Sequence, residues 1–300
     1  MQHEKLQHLI SIPEKEKEIF KKLIQAQRKK LIPAPKITVE KIFLSHKNLV
    51  TQFLQQKEIS KAIVCLREAA YNDFLNDEAS FNISILKNLS VELATPNAIL
   101  EKILKKENLL SKSGTELIQA VASICGEYAG EISPYIYELS LSNTQSRRSR
   151  AGKTFEQIIY HLYRQYNFPF TSQETVGKTR FKDKGLGKIV DSLLPSIEAF
   201  EQRRDKVVIG TMKTTLRERW QEVIEEISRT GLPNIHLLTI DDDISESKAL
   251  QMSKHNVVLV VLKEVKEQEK LSKMANIVSF ESYFTQEIPD ILRFWKPKNV

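Results

Sequence analysis

The sequence predicts an α/β (α+β) protein in which a large helical N-terminal region is followed by a region that contains strands. Up to about residue 166, apolar residues recur every three or four positions, which is the spacing of one face of a helix. After Pro169 the apolar residues gather in short runs rich in Val, Ile and Leu, which favour strands. The chain has 300 residues, 41% of them hydrophobic and 28% charged, so it can bury a large core.

The helical region is divided by local start and stop signals. The stretch 11–14 (SIPE) is typical of a helix start, and 33–35 (PAP) ends that first helix because proline lacks an N–H donor and restricts the residue before it. We predict further breaks at Pro96, within 111–114 (SKSG) and at 133–134. No internal repeat or low-complexity tract is visible.

Four short apolar runs predict the strands. They are KIVDSLL (188–194), KVVIGTMK (206–213), NIHLLTI (234–240) and NVVLVVL (256–262). The last two runs are mostly apolar on both faces, so we expect them at the centre of the sheet.

Helices are predicted around these strands. One follows the second strand from about residue 216 to 229, and a C-terminal helix follows Thr285. The helix that contains Tyr160 is expected to pack on the sheet.

Basic residues are concentrated in two places. The net charge is +7, and the segment 141–155 has four basic residues and no acid, while 176–188 has five basic residues and one acid. Such local surpluses suit a polyanion, because phosphates release counterions when they meet cationic side chains. Each run taken alone fits an ordinary solvated loop equally well.

The cysteines and the apolar segments favour a cytoplasmic protein. Cys65 and Cys125 lie in helical surroundings without metal-ligand or CxxC spacing, so we expect reduced core residues. The N-terminus lacks the basic and then apolar pattern of a signal peptide, and the longest apolar run, 257–262, is too short to cross a bilayer.

An acid and a lysine lie on the first two predicted strands. Asp191 falls within the first strand, and Lys213 ends the second, 22 positions later. If the two strands pair as a hairpin, both side chains share one face at the same strand ends. Half-burying such charges costs several kcal/mol unless they are paired or have a task. One suitable task is for the carboxylate to bind Mg²⁺ while the ammonium acts on an attacking water or on phosphate charge.

This arrangement resembles the PD-(D/E)XK nucleases, in which a second acid lies two residues before the lysine. Here that position is Thr211, so another carboxylate is needed. The helix after the lysine strand offers Glu222, Glu225 and Glu226. Its apolar stripe consists of Leu216, Trp220, Val223, Ile224 and Ile227. Glu226 lies at the edge of that stripe and could turn toward the strand ends, whereas the other two acids are more easily solvated.

The pattern of Glu156, Asp191, Lys213 and Glu226 resembles the EcoRII, PspGI and SsoII group of type II restriction endonucleases. In that group the second acid has moved to the helix after the lysine strand, which accounts for Thr211. The matching blocks are SRRSRAGKTFE (146–156), VDSLLPSIEAF (190–200) and GTMKTTLRERWQEVIEE (210–226). Val190 departs from the proline that often precedes the metal-binding acid in the family.

The resemblance implies a fold and an activity. It implies a PD-(D/E)XK restriction-endonuclease-like core at 141–300, with a mixed β-sheet flanked by helices, and a helical N-terminal region at 1–140 for DNA and dimer contacts. The implied activity is Mg²⁺-dependent cleavage of a short palindromic CC-x-GG site in double-stranded DNA by a homodimer. A cognate DNA methyltransferase would protect the host. A PD-(D/E)XK nuclease of repair or recombination, or a DNA-binding protein that has lost catalysis, remains the alternative.

The resemblance also assigns the catalytic residues. Asp191 and Glu226 would hold Mg²⁺, Lys213 would position or deprotonate the attacking water, and Glu156 would serve as an auxiliary metal or water ligand.

A recognition triplet is expected at Arg217-Glu218-Arg219, four residues after the lysine. In the family an Arg-acid-Arg triplet at this offset reads the CC and GG steps. Arg can bond guanine O6 and N7 together, and Glu can accept from cytosine N4. The alternative is a capping box, with Thr215 as N-cap and Glu218 at the third helical position.

Further DNA contacts are expected upstream. Gln145 matches a family position that contacts the outer C:G pair, and Arg147, Arg148 and Arg150 would bind phosphates or base edges. A plain polar loop residue is the equal alternative for Gln145.

Arg67 and Tyr71 are candidates for a base-flipping pocket. They stand four apart, and some family members stack a flipped base on an aromatic from the N-terminal part. The alternative for Tyr71 is an aromatic packed in the core.

Overall fold

The computed structural model describes residues 11–106, 108–186, 189–217 and 219–295, without the side chains of Lys178 and Arg219. The chain divides into two compact units. The described residues of Met1–Ala34 and Tyr71–Ser149 form the first, and those of Pro35–Ala70 and Arg150–Val300 form the second. These limits differ from the predicted division into a helical N-terminal region (1–140) and a nuclease core (141–300). That division concerns function and stays a prediction.

The first unit is built from helices. They are α1 (Glu14–Leu31), the second part of α4 (Ile59–Glu92), α5 (Ala94–Lys106), α6 (Gly114–Glu131) and the first part of α7 (Ser133–Gln165). Their apolar faces form a core around Phe20, Phe81 and Tyr135. This unit therefore has a core of its own.

The predicted helix limits hold with one exception. The first helix begins at Glu14, and breaks fall at 111–114 and before Ser133, as expected. The break predicted at Pro96 falls three residues earlier, at Leu93, because α4 ends at Glu92 and α5 begins at Ala94 with Pro96 in its first turn. Proline is tolerated in a first helical turn, where its missing N–H would have no helical partner.

The second unit contains the sheet. Its elements include α2 (Pro35–Ser45), α3 (Lys47–Gln55), the remaining parts of α4 and α7, β1 (Thr171–Ser172), α8 (Gln173–Val176), α9 (Lys178–Asp183), β2 (Ser192–Leu194), α10 (Ile197–Gln202), β3 (Val208–Lys213), α11 (Arg219–Thr230), β4 (Ile235–Thr239), α12 (Glu246–Lys254), β5 (Val257–Val261), α13 (Lys263–Lys266), α14 (Glu269–Ser272), β6 (Ile277–Ser279), α15 (Phe280–Ser282), a π-turn (Tyr283–Glu287) and α16 (Ile288–Trp295).

The sheet is mixed. Its six strands lie in the order β1-β2-β3-β4-β5-β6. The β1–β2 and β2–β3 pairs are antiparallel, whereas the three pairs from β3 to β6 are parallel. The first two predicted strands therefore form the expected hairpin, and β4 and β5 have a strand on either side. The first strand, predicted over 188–194, is shorter than expected because β2 begins at Ser192.

Each face of the sheet carries an apolar layer. Along β3, Val208 and Met212 belong to the layer that includes Tyr160 of α7, while Ile209 belongs to the layer that includes Val223 of α11. The alternation is that of a strand buried on both faces. The prediction that the Tyr160 helix packs on the sheet is confirmed.

The cysteines differ from expectation in one respect. Cys125 is exposed, so its assignment to the core is wrong, because α6 turns that side chain away from its buried face. Cys65 is half-buried, and burial raises the pKa of its thiol. Across the described ranges, no helix is long and apolar enough to cross a membrane.

Candidate active site

The β2–β3 hairpin places Asp191 beside Thr211. Asp191 directly precedes β2, and its N–H donates to the carbonyl of Gly210 at 2.9 Å, next to the Ser192–Gly210 pair of the ladder. A Cβ at Gly210 would lie 2.5 Å from Ser192 Oγ. Glycine at this position therefore leaves room for the Ser192 side chain across the hairpin.

The backbone of β3 holds the Asp191 carboxylate. Oδ2 accepts the N–H of Met212 at 2.7 Å and lies 3.4 Å from the hydroxyl of Thr211. That hydroxyl is buried and donates to the carbonyl of Ile189 at 2.7 Å. Thr211, at the position where an acid is usual, thus supports the loop that leads into Asp191.

A second support comes from α7. The hydroxyl of Tyr160 donates to the backbone carbonyl of Asp191 at 3.0 Å, and the N–H of Gln173 donates to the same oxygen at 2.9 Å. A buried tyrosine needs a partner for its polar tip, and here that partner is the residue before β2. The Asp191 main chain is therefore held from two directions.

Asp191 and Lys213 lie within electrostatic reach of Glu156. Burial, and then the negative charge of Asp191, raise the pKa of Glu156 to about 7, while the positive charge of Lys213 opposes the increase. Lys213 is half-buried at the end of β3. The structure thus brings the predicted catalytic residues Asp191 and Lys213 close to Glu156.

The carboxylate of Glu226 is paired with an arginine of its own helix. Its buried carboxylate makes an ion pair with Arg229, one turn further along α11. Val223 and Ile227 of the same helix pack in the layer beneath the sheet, as their spacing predicts. Among the described residues, no group of three or more His, Cys, Asp or Glu is arranged to hold a metal ion.

The residues at the hairpin still fit a magnesium ion. Mg²⁺ prefers hard oxygen ligands, and it is usually held by one or two carboxylates together with waters and substrate phosphates. Asp191 and Glu156 supply two neighbouring carboxylates, whose mutual repulsion is visible in the raised pKa of Glu156. A divalent cation between them would relieve that repulsion.

The predicted recognition triplet lies where β3 passes into α11. This helix begins at Arg219, later than expected, so Thr215 is not its N-cap and the capping-box alternative fails. Arg217 is exposed and has a φ of 30°, which is rare for a residue other than glycine. Glu218 and the side chain of Arg219 lie outside the described residues.

The upstream candidates are exposed to different degrees. On α7, Gln145 and Arg148 are exposed. Arg147 makes a two-pronged contact with the buried carboxylate of Glu78, through Nε at 2.9 Å and a second nitrogen. Arg150 donates to the hydroxyl of Thr38 at 2.7 Å. Arg147 and Arg150 therefore have protein partners in addition to any DNA contact.

Arg67 and Tyr71 both reach solvent. Arg67 is exposed, and 51% of the Tyr71 side chain is accessible. The alternative in which Tyr71 packs in the core is wrong, because α4 turns this side of the helix outward.

The sequence interpretation missed Asp241. Its carboxylate accepts the N–H of Leu216 at 2.6 Å, immediately before the triplet. The available signal was the acidic run 241–243 directly after the strand that neighbours the Lys213 strand.

Fold and site together define the class. A mixed sheet with an antiparallel hairpin, whose strands carry an acid and a lysine beside a third charged group, has the architecture of the PD-(D/E)XK nucleases. Comparisons with known proteins identify the family within this class.

Two sequence comparisons cover much of the chain. The family model described as EcoRII C terminal matches residues 118–284. The type II restriction enzyme SsoII of Shigella sonnei is 34% identical over 227 residues, covering 74% of this chain and 72% of that protein. The type II restriction enzyme EcoRII of Escherichia coli is 26% identical over 128 residues, which cover 41% of this chain and 30% of that protein.

Solved structures agree with these matches. Metal-depleted Ecl18kI in complex with uncleaved, modified DNA has a TM-score of 0.74 at 30% identity, over 92% of this chain and 85% of that chain. The PspGI–substrate DNA complex, at 16% identity, supports the fold with a TM-score of 0.58 over 88% of this chain and 93% of that chain. The chain belongs to the EcoRII/PspGI/SsoII family of type II restriction endonucleases. It is therefore a site-specific deoxyribonuclease that acts on double-stranded DNA.

Proposed function

We propose that this enzyme makes Mg²⁺-dependent double-strand cuts at a short palindromic CC-x-GG site, where x is one base pair or none, in defence against foreign DNA. The observation that carries the proposal is the grouping of Glu156, Asp191 and Lys213 at the β2–β3 hairpin. The relatives are restriction enzymes, and two of the similar solved structures are complexes with DNA.

Each charged residue has a distinct task in this proposal. Asp191 and Glu226 would hold the cation, which would supply charge stabilisation to the scissile phosphate and lower the pKa of a bound water. Lys213 holds or deprotonates the attacking water from the end of β3. Glu156 acts as an auxiliary metal or water ligand. In the structure the carboxylate of Glu226 is paired with Arg229.

Base recognition is assigned to residues at the start of α11 and on α7. Arg217, Glu218 and Arg219 would read the CC and GG steps through guanine O6 and N7 and cytosine N4. Gln145 would contact the outer C:G pair. The exposure of Arg217 and Gln145 supports this assignment.

The remaining basic and aromatic residues are assigned weaker roles. Arg147, Arg148 and Arg150 would contact the DNA backbone, and Arg148 is the best placed because the other two bond protein groups. Arg67 and Tyr71 would receive a flipped base, which needs the exposed aromatic surface that Tyr71 presents.

The functional unit proposed is a cytoplasmic homodimer. A palindromic site is matched by a protein with twofold symmetry, so that each active site cuts one strand. A DNA methyltransferase of the same system would modify the host's own sites, as a functional rather than a physical partner.

The decisive experiment is to digest plasmid DNA with the purified protein and Mg²⁺ and to sequence the fragment ends. Discrete fragments that all end at one CC-x-GG sequence are expected, and they would give the central bases and the cut position together. Nicking that follows DNA structure would instead identify a repair nuclease, and binding without cutting would identify an inactive DNA-binding protein. A parallel reaction with chelator in place of Mg²⁺ is expected to leave the plasmid intact.

A further inference from the structure

A carboxylate at the end of β4 is bonded to the segment that carries the recognition triplet. Asp241 Oδ2 accepts the N–H of Leu216 at 2.6 Å, and Oδ1 accepts the N–H of Asp243 at 3.2 Å. The N–H of Asp241 itself donates to the hydroxyl of Thr239 at 3.1 Å. Each carboxylate oxygen therefore has its own donor, and the group is fixed in a turn.

The segment held in this way has little other regular structure. The described residues between Lys213 and the start of α11, 214–217, form neither helix nor strand. Leu216 is anchored twice, since its side chain is fully buried in the layer with Val223 while its N–H reaches Asp241. Arg217 follows at once with a φ of 30°, a conformation that persists only where the surroundings impose it.

The same turn is joined to the catalytic strand. Thr239 is the register partner of Lys213 in the parallel β3–β4 pair, and its hydroxyl accepts the N–H of Asp241. One short turn is thus tied to the end of the Lys213 strand and to the beginning of the base-reading segment. The distance between the proposed catalytic and recognition residues depends on it.

We propose that Asp241 is a positioning residue for sequence recognition, which holds the backbone at Leu216 so that Arg217 projects toward the base edges at a fixed offset from Lys213. This inference rests on the proposed base-reading role of Arg217. The acid has no favourable electrostatic reason to lie near DNA, because a negative charge repels phosphates. Its bond to Leu216 supplies a structural reason.

The Asp241→Ala variant is expected to lose discrimination between DNA sequences without losing affinity for DNA. Loss of the carboxylate removes a negative charge, so Asp241→Ala is expected to bind unrelated DNA at least as well as the parent. It is expected to lose about 10-fold or more in discrimination between the cognate site and a site with one substituted outer base pair, the scale of one well-made base contact. Asp242→Ala is the matched control, because it removes the same charge from an exposed neighbour.

The measurement is competition binding of the full-length protein without metal. Labelled duplex carrying the site mapped by fragment-end sequencing is displaced by cognate, singly substituted and unrelated duplexes. Asp241→Asn keeps an oxygen that can accept from Leu216, so it is expected to retain most of the discrimination. Equal losses in the Asn and Ala variants, or the same loss in Asp242→Ala, would overturn a positioning role in favour of charge.

A double-mutant cycle tests whether Asp241 affects discrimination by positioning Arg217. In an Arg217→Ala background, adding Asp241→Ala is expected to change discrimination by less than about twofold, because the group being positioned has already gone. If the fold loss of discrimination in the double variant equals the product of the losses in the two single variants, the inference is overturned. If Arg217→Ala alone leaves discrimination intact, the base-reading role fails and the positioning role fails with it. If Arg217→Ala lowers it and Asp241→Ala does not, only the inference about Asp241 fails.

Discussion

At the scale of single residues, the site brings together charged side chains whose burial alone would cost free energy and whose grouping suits chemistry on a phosphate. Asp191 is held by the N–H of Met212, and Glu156 is buried close enough for the charge of Asp191 to raise its pKa to about 7. Lys213 partly offsets that repulsion. A cluster of two acids and one lysine is suited to hydrolysis of a phosphodiester.

Lys213→Ala is expected to abolish cleavage while leaving binding largely intact. In the proposed mechanism the lysine acts on the attacking water, and groups that move a proton typically contribute about 10²- to 10⁴-fold to the rate. Single-turnover cleavage with Mg²⁺ and binding without metal are the two measurements. Lys273→Ala, which removes an exposed lysine from the end of α14, serves as the control. Cutting at the parental rate by Lys213→Ala would refute the site assignment.

Arg217→Ala is expected to weaken discrimination at one base step by about 1–3 kcal/mol, because a bidentate contact to guanine is lost. The measurement compares binding of the variant to the cognate duplex and to duplexes substituted at each position. A uniform loss on every sequence would instead identify Arg217 as a phosphate contact.

At the scale of elements, the β2–β3 hairpin organises the site, and Gly210 leaves room in it for the buried Ser192 side chain. The helices of the first half, the helix after the Lys213 strand and the four longer strand runs could be predicted because their periodicity is local, whereas the pairing of the first two runs was a condition that the structure fulfils. The strands β1 and β6 were not predicted, since they have only 2 and 3 residues and carry almost no periodic signal. Short strands of this kind are defined by their partners in the sheet.

Gly210→Ala is expected to lower stability and activity together. Its Cβ would lie 2.5 Å from Ser192 Oγ in the buried hairpin, so the Ser192 side chain or the strand that carries it must shift, at a cost of about 1–3 kcal/mol for overpacking. Thermal unfolding should show a midpoint lower by about 2–4 °C for each kcal/mol. As a control, Gly126→Ala within α6 has nothing within 4 Å of the new Cβ, and it should be neutral or stabilising by about 0.5–1 kcal/mol. An unchanged midpoint for Gly210→Ala would show that the hairpin tolerates the side chain.

At the scale of the whole molecule, the chain has two compact units, each with its own core, and the catalytic cluster lies in the second. The family assignment rests on matches that extend over most of the chain. The proposed palindromic site calls for a second copy of the chain, because one active site cuts one strand.

Light scattering on the purified protein is therefore expected to give about twice the chain mass of 34.6 kDa. Two identical active sites should also cut both strands of a plasmid in one binding event, since twofold symmetry presents one site to each strand. A particle of single-chain mass that produces only nicked plasmid would contradict the dimer.

The sequence by itself determined the helical first half, the four longer strands, the helix after the Lys213 strand and the family to which its charged motifs belong. These features depend on local periodicity and on residues close in the chain. The tertiary structure decided what no spacing encodes: that the Asp191 and Lys213 segments pair as a hairpin, that Asp241 holds Leu216, that Arg147 pairs with Glu78, and that α11 begins at Arg219 rather than near residue 216. Such contacts join residues that are far apart in sequence or depend on how a turn is held, and only packing and strand register bring them into reach.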